Sequence, residues 1–347
     1  MRIAQIAPVW YPVPPQGYGG SELIVSLLTE GLVARGHDVT LFTVGGSTTS
    51  AKMVEVLPEA PDPSVLGTPW YNACWYEMHQ AAAAMLATEG FDVVHSHTHL
   101  APLLGAMRPD PPLVHTVHVP WNDEARATYR LIADRINVVA ISQASRNCFP
   151  DGNFADVVYN GIDVGQYRYQ AEKNGSLVFI GRANPDKGVL PALRIARAVD
   201  APITLICKRS EQHEIDYWNA EIAPLLGSDV EVLQDVDHET KVDRLANASA
   251  FVFPLQWDEP FGLVMVEAMA CGTPAVVRPF GAAPELVADG VSGFVRDSFD
   301  DLVDATRRVL HGEIDPAICR KRVDEHFSAE VMVQGYEALF ERVTASA

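Results

Sequence analysis

Short apolar runs alternate along the chain with longer amphipathic ones. RIAQIA (residues 2–7), HDVTLFTV (37–44), FDVVHSH (91–97), PLVHTVHV (112–119) and INVVAIS (136–142) are brief and rich in β-branched residues, as strands buried on both faces are. Between the first two lies GGSELIVSLLTEGLVARG (19–36). Here Leu23, Leu27, Leu28 and Leu32 recur near a 3.6 period and Gly36 closes the run, which predicts a helix. The second half repeats the theme with SLVFIGR, PITLICK, DVEVL, SAFVFPL and TPAVVR as strands and VLPALRIARAV as a helix. Alternation of this kind predicts a parallel sheet with helices on both faces.

The pattern predicts two doubly wound, Rossmann-like α/β domains facing a central cleft. The boundaries are 1–165, 166–327 and a C-terminal helix, 328–347, expected to pack back on the first domain. The break falls near VVYNGIDVGQYRYQAEKNG, where Asn160-Gly161 marks a turn. In the last segment Ser328 is a candidate N-cap, and Met332, Tyr336, Leu339, Phe340 and Val343 form an apolar stripe. A length of 347 residues agrees with two domains at roughly 150 residues each.

Charge narrows the function. The net charge of −19 argues against nucleic acid and anionic membrane surfaces as partners. Up to His118 only Arg2, Arg35, Lys52 and Arg108 are basic, and YEMHQAAAAMLATEG has no Lys or Arg, so membrane contact is not expected. Five scattered cysteines without a C-x-x-C pair predict reduced thiols and a cytoplasmic protein. Nothing in the chain sets its oligomeric state.

The chemistry concentrates in EPFGLVMVE, where Glu259 and Glu267 stand eight positions apart on an apolar support. A helix is predicted from near Gly262 to before Gly272. Its free N–H groups favour a phosphate. Glu267 lies about 8 Å along that helix. Two carboxylates flanking an anion site suit a ligand with hydroxylated rings on either side of a diphosphate. In GRANPDKG, Arg182 and Lys187 follow a strand, placed to meet phosphate oxygens. GYGGSE fails the G-x-G-x-x-G pattern, because Glu22 occupies its last position. Glu22 is expected only to assist the helix start. The histidines His95, His97, His99 and His115 read as strand-end residues satisfied by hydrogen bonds. HSHTHL lacks the Asp-His pair of the binuclear metallohydrolases.

E-x7-E followed by AMACGTP and GAAPELVADGVSGFV, with GGSELIVSLLTEGLVARGHDVTLFT, VVYNGID and GRANPDKG in order, closely resembles the retaining family-4 glycosyltransferases of the GT-B fold. The resemblance implies a metal-independent enzyme with no cofactor, moving a sugar from a UDP- or GDP-linked donor to an acceptor hydroxyl of a soluble small molecule or saccharide bound by the first domain. It assigns Glu259 to the donor sugar and Glu267 to the ribose. Backbone N–H groups of Phe261, Gly262 and Leu263 would meet the sugar and diphosphate, and Gly19 and Gly20 would lie close to the donor. His118, ending VHTVH, would face the donor sugar. Two departures stand out. CKRSEQHE replaces a Gly-x-Gly, bringing Lys208 and Arg209 towards phosphate or base, and Leu255 replaces a small polar residue at the expected pocket rim. A catalytically silent sugar-nucleotide binding protein and a histidine-cluster metallohydrolase remain as alternatives.

Overall fold

The computed structural model describes residues 1–62, 65, 70–108 and 110–345, and the side chains of all of these but Trp70 and Tyr71. It divides into two compact units. The first is Met1–Gly161 together with the C-terminal helix, and the second is Ile162–Ser328. The chain enters and leaves the second unit side by side, with the Ile162 amide donating to the Phe327 carbonyl at 2.9 Å.

The first unit is built on strands β1 (Arg2–Ile6), β2 (Asp38–Val44), β3 (Lys52–Leu57), β4 (Val93–Ser96), β5 (Leu113–Val117), β6 (Asn137–Ala140) and β7 (Phe154–Val157), all parallel, in the order β3-β2-β1-β4-β5-β6-β7. The second has β8 (Leu177–Arg182), β9 (Ile203–Lys208), β10 (Val230–Leu233), β11 (Ala250–Phe253), β12 (Ala275–Val277) and β13 (Gly293–Val295), parallel in the order β10-β9-β8-β11-β12-β13. Each sheet therefore reverses its strand order once, at β1/β4 and at β8/β11. The GT-B expectation of two doubly wound Rossmann-like domains holds.

Three strands carried no clear signal in the sequence. β3, β7 and β13 lie at sheet edges, and β3 exposes Lys52–Glu55. A strand with water on one side and one neighbour needs no continuous apolar run. The helix Gly20–Ala34 is also turned slightly from the predicted face. Ile24, Val25, Leu28 and Leu32 are fully buried, whereas Leu23 and Leu27 are only half-covered.

The helix Ala329–Ala345 buries Met332, Val333, Tyr336, Leu339 and Phe340 in the first unit. It meets Gly20–Ala34 at Gly31, where an added Cβ would stand 2.4 Å from Cγ2 of Val333. An exposed helical Gly→Ala change stabilises by about 1 kcal/mol. At this contact the stiff valine reverses the sign. Gly31→Ala should lower stability by about 1–3 kcal/mol, and Val333→Ala in the same chain should recover part of that loss. Urea denaturation of the three variants measures it. A more stable Gly31→Ala protein would show that the contact does not limit packing.

Candidate active site

Ligands of doubly wound sheets sit beyond the carboxyl ends of the strands, where the order reverses. In the second unit that place is formed by the connections leaving β8 and β11. The two loops are stitched together. The Gln256 amide donates to the Asp186 carbonyl at 2.7 Å, the Gln256 side chain donates to the Pro185 carbonyl at 3.0 Å, and Asn184 Oδ1 accepts from the Asp186 amide.

This stitching brings Lys187, from the first loop, onto Glu259, from the second. Lys187 Nζ and Glu259 Oε2 form an ion pair with side chains 16% and 13% exposed. The Trp257 indole also donates to Oε2, at 3.1 Å, and its ring lies under the ammonium group, 4.3 Å from Nζ to the centroid. Glu259 thus keeps Oε1 for another donor. Just beyond, Gly262 stands at φ 91°. An added Cβ there would lie 2.4 Å from Met265 Cε and 3.2 Å from Glu259 Cγ, so both backbone conformation and space require glycine. Gly262 opens the helix Leu263–Ala270, and no side chain caps it. Its first amides, including that of Leu263, are the kind that bind anions. Phe261 is buried with its ring edge against Phe327.

Glu267 lies inside the same helix and is 3% exposed. Its Oε1 accepts from the Tyr167 hydroxyl at 2.9 Å and from Lys241 Nζ at 2.8 Å. Its Oε2 is buried and has no partner among the described residues. A buried acceptor left unpaired is costly, so Oε2 favours an incoming hydroxyl. Burial and the neighbouring Glu267 charge hold the Tyr167 hydroxyl firmly protonated, so that it donates.

Arg182 closes β8 and is the register partner of Lys208 on β9. Its guanidinium is loosely held, 3.4 Å from Glu211 and 3.5 Å from Glu214. Two expectations change here. Arg209 stacks on the Trp218 ring, 4.2 Å from Cζ to the centroid. Leu255 is fully buried, a core residue rather than a pocket rim.

In the first unit, Gly19 and Gly20 lie on the connection after β1. Gly19 has φ 147°, and an added Cβ would meet Pro15 at 2.7 Å. Glu22 does more than start the helix. It is buried, and burial raises its pKa to about 7, against a backbone hydrogen bond that lowers it. His118 follows β5. Its Nε2 lies 2.8 Å from Nδ1 of His97, with the two ring planes 21° apart. His95 Nε2 is 2.8 Å from Thr116 Oγ1, which is 2.8 Å from the Tyr336 hydroxyl. His115 Nε2 meets the Tyr129 hydroxyl at 2.6 Å, and His99 faces Glu77 at 3.3 Å. Burial first, then mutual repulsion, lowers His95 to about 3 and His118 to about 4, and holds His97 and His115 well below the ordinary range. These rings are neutral at pH 7. No group of three or more His, Cys, Asp or Glu side chains among the described residues is arranged to hold a metal, so the cluster gives the metallohydrolase alternative no support.

Arg182, Lys187 and Glu259 thus lie at the reversal point of the second sheet and Gly19 and Gly20 at that of the first, while Lys208 ends β9 and His118 follows β5, each one strand away. Sequence reasoning missed Trp257, Tyr167, Lys241, Glu211, Glu214 and His97 as partners of the site. Trp257 stands two residues before Glu259, just outside the motif EPFGLVMVE. Tyr167 and Lys241 lie 100 and 26 positions from Glu267, and only the fold joins them.

Residues 168–326 match the family model of glycosyl transferases group 1, and residues 18–166 match that of glycosyltransferase family 4. The chain is 30% identical to the alpha-maltose-1-phosphate synthase of Mycobacterium tuberculosis, over 84% of each protein. It is 29% identical to the D-inositol 3-phosphate glycosyltransferase of Mycolicibacterium smegmatis, over 89% of this chain and 82% of that protein. Among solved structures it resembles a glycosyltransferase involved in avilamycin A biosynthesis, with a TM-score of 0.75 and 25% identity over 100% of this chain and 98% of the other. No helix among the described residues is long and apolar enough to cross a membrane. The two family models together span nearly the whole chain, the sheets have the matching two-domain architecture, and this chain belongs to the family-4 glycosyltransferases of the GT-B fold.

Proposed function

We propose that the protein moves a sugar from a UDP- or GDP-linked donor to a hydroxyl of a small-molecule or saccharide acceptor, with retention at the anomeric carbon and without a metal ion. The observation that carries this reading is the Lys187–Glu259 pair beside an uncapped helix start, with Glu267 Oε2 unpartnered one turn beyond. That group offers cations and amides to a diphosphate and a carboxylate to the hydroxyls on each side of it. Lys187, Arg182 and Lys208 receive the diphosphate, helped by the amides of Gly262 and Leu263. Glu259 holds the sugar and Glu267 the ribose. From the first unit, Gly19 and Gly20 give close backbone approach and His118 donates to the sugar. The names of the two mycobacterial relatives mention inositol 3-phosphate and maltose 1-phosphate, which favours a small hydroxylated acceptor.

The chemistry follows from what these groups can do. Glu259 accepts from Lys187 and Trp257, and Glu267 accepts from Tyr167 and Lys241. Carboxylates so occupied are poor nucleophiles and poor bases, which disfavours a covalent glycosyl intermediate. The remaining course is front-face substitution. The bond from the anomeric carbon to the diphosphate oxygen breaks, the acceptor oxygen attaches on the same side, and its proton passes to a departing phosphate oxygen. Negative charge grows on the diphosphate, so contacts from Lys187 and Arg182 strengthen in the transition state.

Three outcomes are expected. Lys187→Ala and Arg182→Ala should each lower turnover ~10- to 100-fold with the fold retained by circular dichroism. Lys187→Ala should lose more, because Arg182 is already shared with two glutamates. Wild-type rates in a folded double variant would remove both from the reaction. Glu259→Gln should depress turnover and alter donor-sugar choice, while Glu267→Gln should weaken nucleoside diphosphate itself in calorimetric titration. The opposite pattern would exchange their roles. An α-linked donor should give an α-linked initial product, at a rate unchanged by chelator. The anomeric coupling in proton NMR reads the linkage, and a β product would exclude front-face substitution.

A further inference from the structure

His97 is 5% exposed, and only one of its ring nitrogens has a partner. Nδ1 lies 2.8 Å from Nε2 of His118, while its own Nε2 is buried with no partner among the described residues. A neutral imidazole carries one N–H and one lone pair, so the contact can run in two directions. If His118 Nε2–H donated, the proton of His97 would sit on the buried Nε2 with nothing to accept it. If His97 Nδ1–H donates, the buried Nε2 keeps only an unused lone pair. Orphaned N–H groups are the rarer of the two in folded proteins.

We infer that His97 is a positioning residue that holds His118 as the Nδ1–H tautomer, so that the accessible nitrogen of His118 is a hydrogen-bond donor. Both rings are kept neutral by burial, which leaves the tautomer as the only choice. A donor in this place suits an oxygen of the sugar or the diphosphate. It cannot also take the acceptor's proton, which agrees with a phosphate oxygen doing so. The two ring planes are within 21° of parallel and lie side by side across this hydrogen bond, with centroids 5.1 Å apart, which limits rotation of His118 about its own axis. His95 packs against the His97 ring, with centroids 4.2 Å apart. The ligand contact rests on the proposed donor role of His118, whereas the tautomer does not.

Imidazole 15N NMR of the full chain labelled at histidine tests the tautomer directly. His118 should show a protonated Nδ1 and an unprotonated Nε2 near neutral pH. The reverse pattern, or a mixture, overturns the inference even if no variant folds. His97→Asn places an amide N–H where Nδ1 stands, and should preserve the His118 spectrum and most of the turnover. His97→Phe keeps the ring without a donor. It should release the tautomer and lower turnover ~10- to 100-fold, with nucleoside diphosphate binding in the second unit unchanged. A Phe variant with the wild-type His118 spectrum would overturn the positioning role. Wild-type turnover in His118→Phe would overturn the functional reading and the ligand contact, while the wild-type spectrum still decides the tautomer.

Discussion

Where a parallel sheet reverses its strand order, the two neighbouring connections depart to opposite faces and leave a crevice at their start. At β8 and β11 this constraint sets everything that follows in the second unit. Arg182 ends one strand, Lys187 sits on the loop after it, and Glu259 sits on the loop after the other. The Gln256–Asp186 and Gln256–Pro185 hydrogen bonds turn two separate loops into one surface. Without that stitching, the acidic and basic groups would belong to independent segments, each free to move.

The two units handle buried polarity in different ways. The second uses charge held in pairs. Lys187 with Glu259, and Lys241 with Glu267, are largely removed from water, and each partner offsets the other's desolvation. A ligand carrying phosphates and hydroxyls can replace both partners of the first pair at once, so neither charge is stranded. The first unit instead keeps four imidazoles neutral by burial and satisfies one nitrogen of each with a hydroxyl group or with another of the rings. In that surrounding, hydrogen-bond direction carries the information that charge carries in the other unit.

What could be read in the sequence was what a short window holds. EPFGLVMVE and GRANPDKG each keep their chemistry within ten residues, and their helix, loop and strand ends were legible from local pattern. The doubly wound architecture was legible too, because buried parallel strands are continuously apolar. What escaped was assembled over distance or at edges. Tyr167 and Lys241 look like ordinary polar residues until the fold sets them on Glu267. Trp257 looked like part of a loop until its indole met Glu259. Arg209 stood beside Lys208 in the sequence, and its guanidinium stacks on Trp218, which nothing in the local pattern linked to it.

The first unit is assembled from both ends of the chain. Tyr336 and Phe340, in the C-terminal helix, pack against His95 with ring centroids 4.7 and 5.2 Å away. Tyr336 also completes the hydrogen-bond chain through Thr116. During translation those residues leave the ribosome only after every residue of the second unit has been made. The unit that begins first is therefore the last to be complete, and the nascent chain must carry a seven-stranded sheet with part of its covering layer still unsynthesised while the second unit already has all that it needs to close.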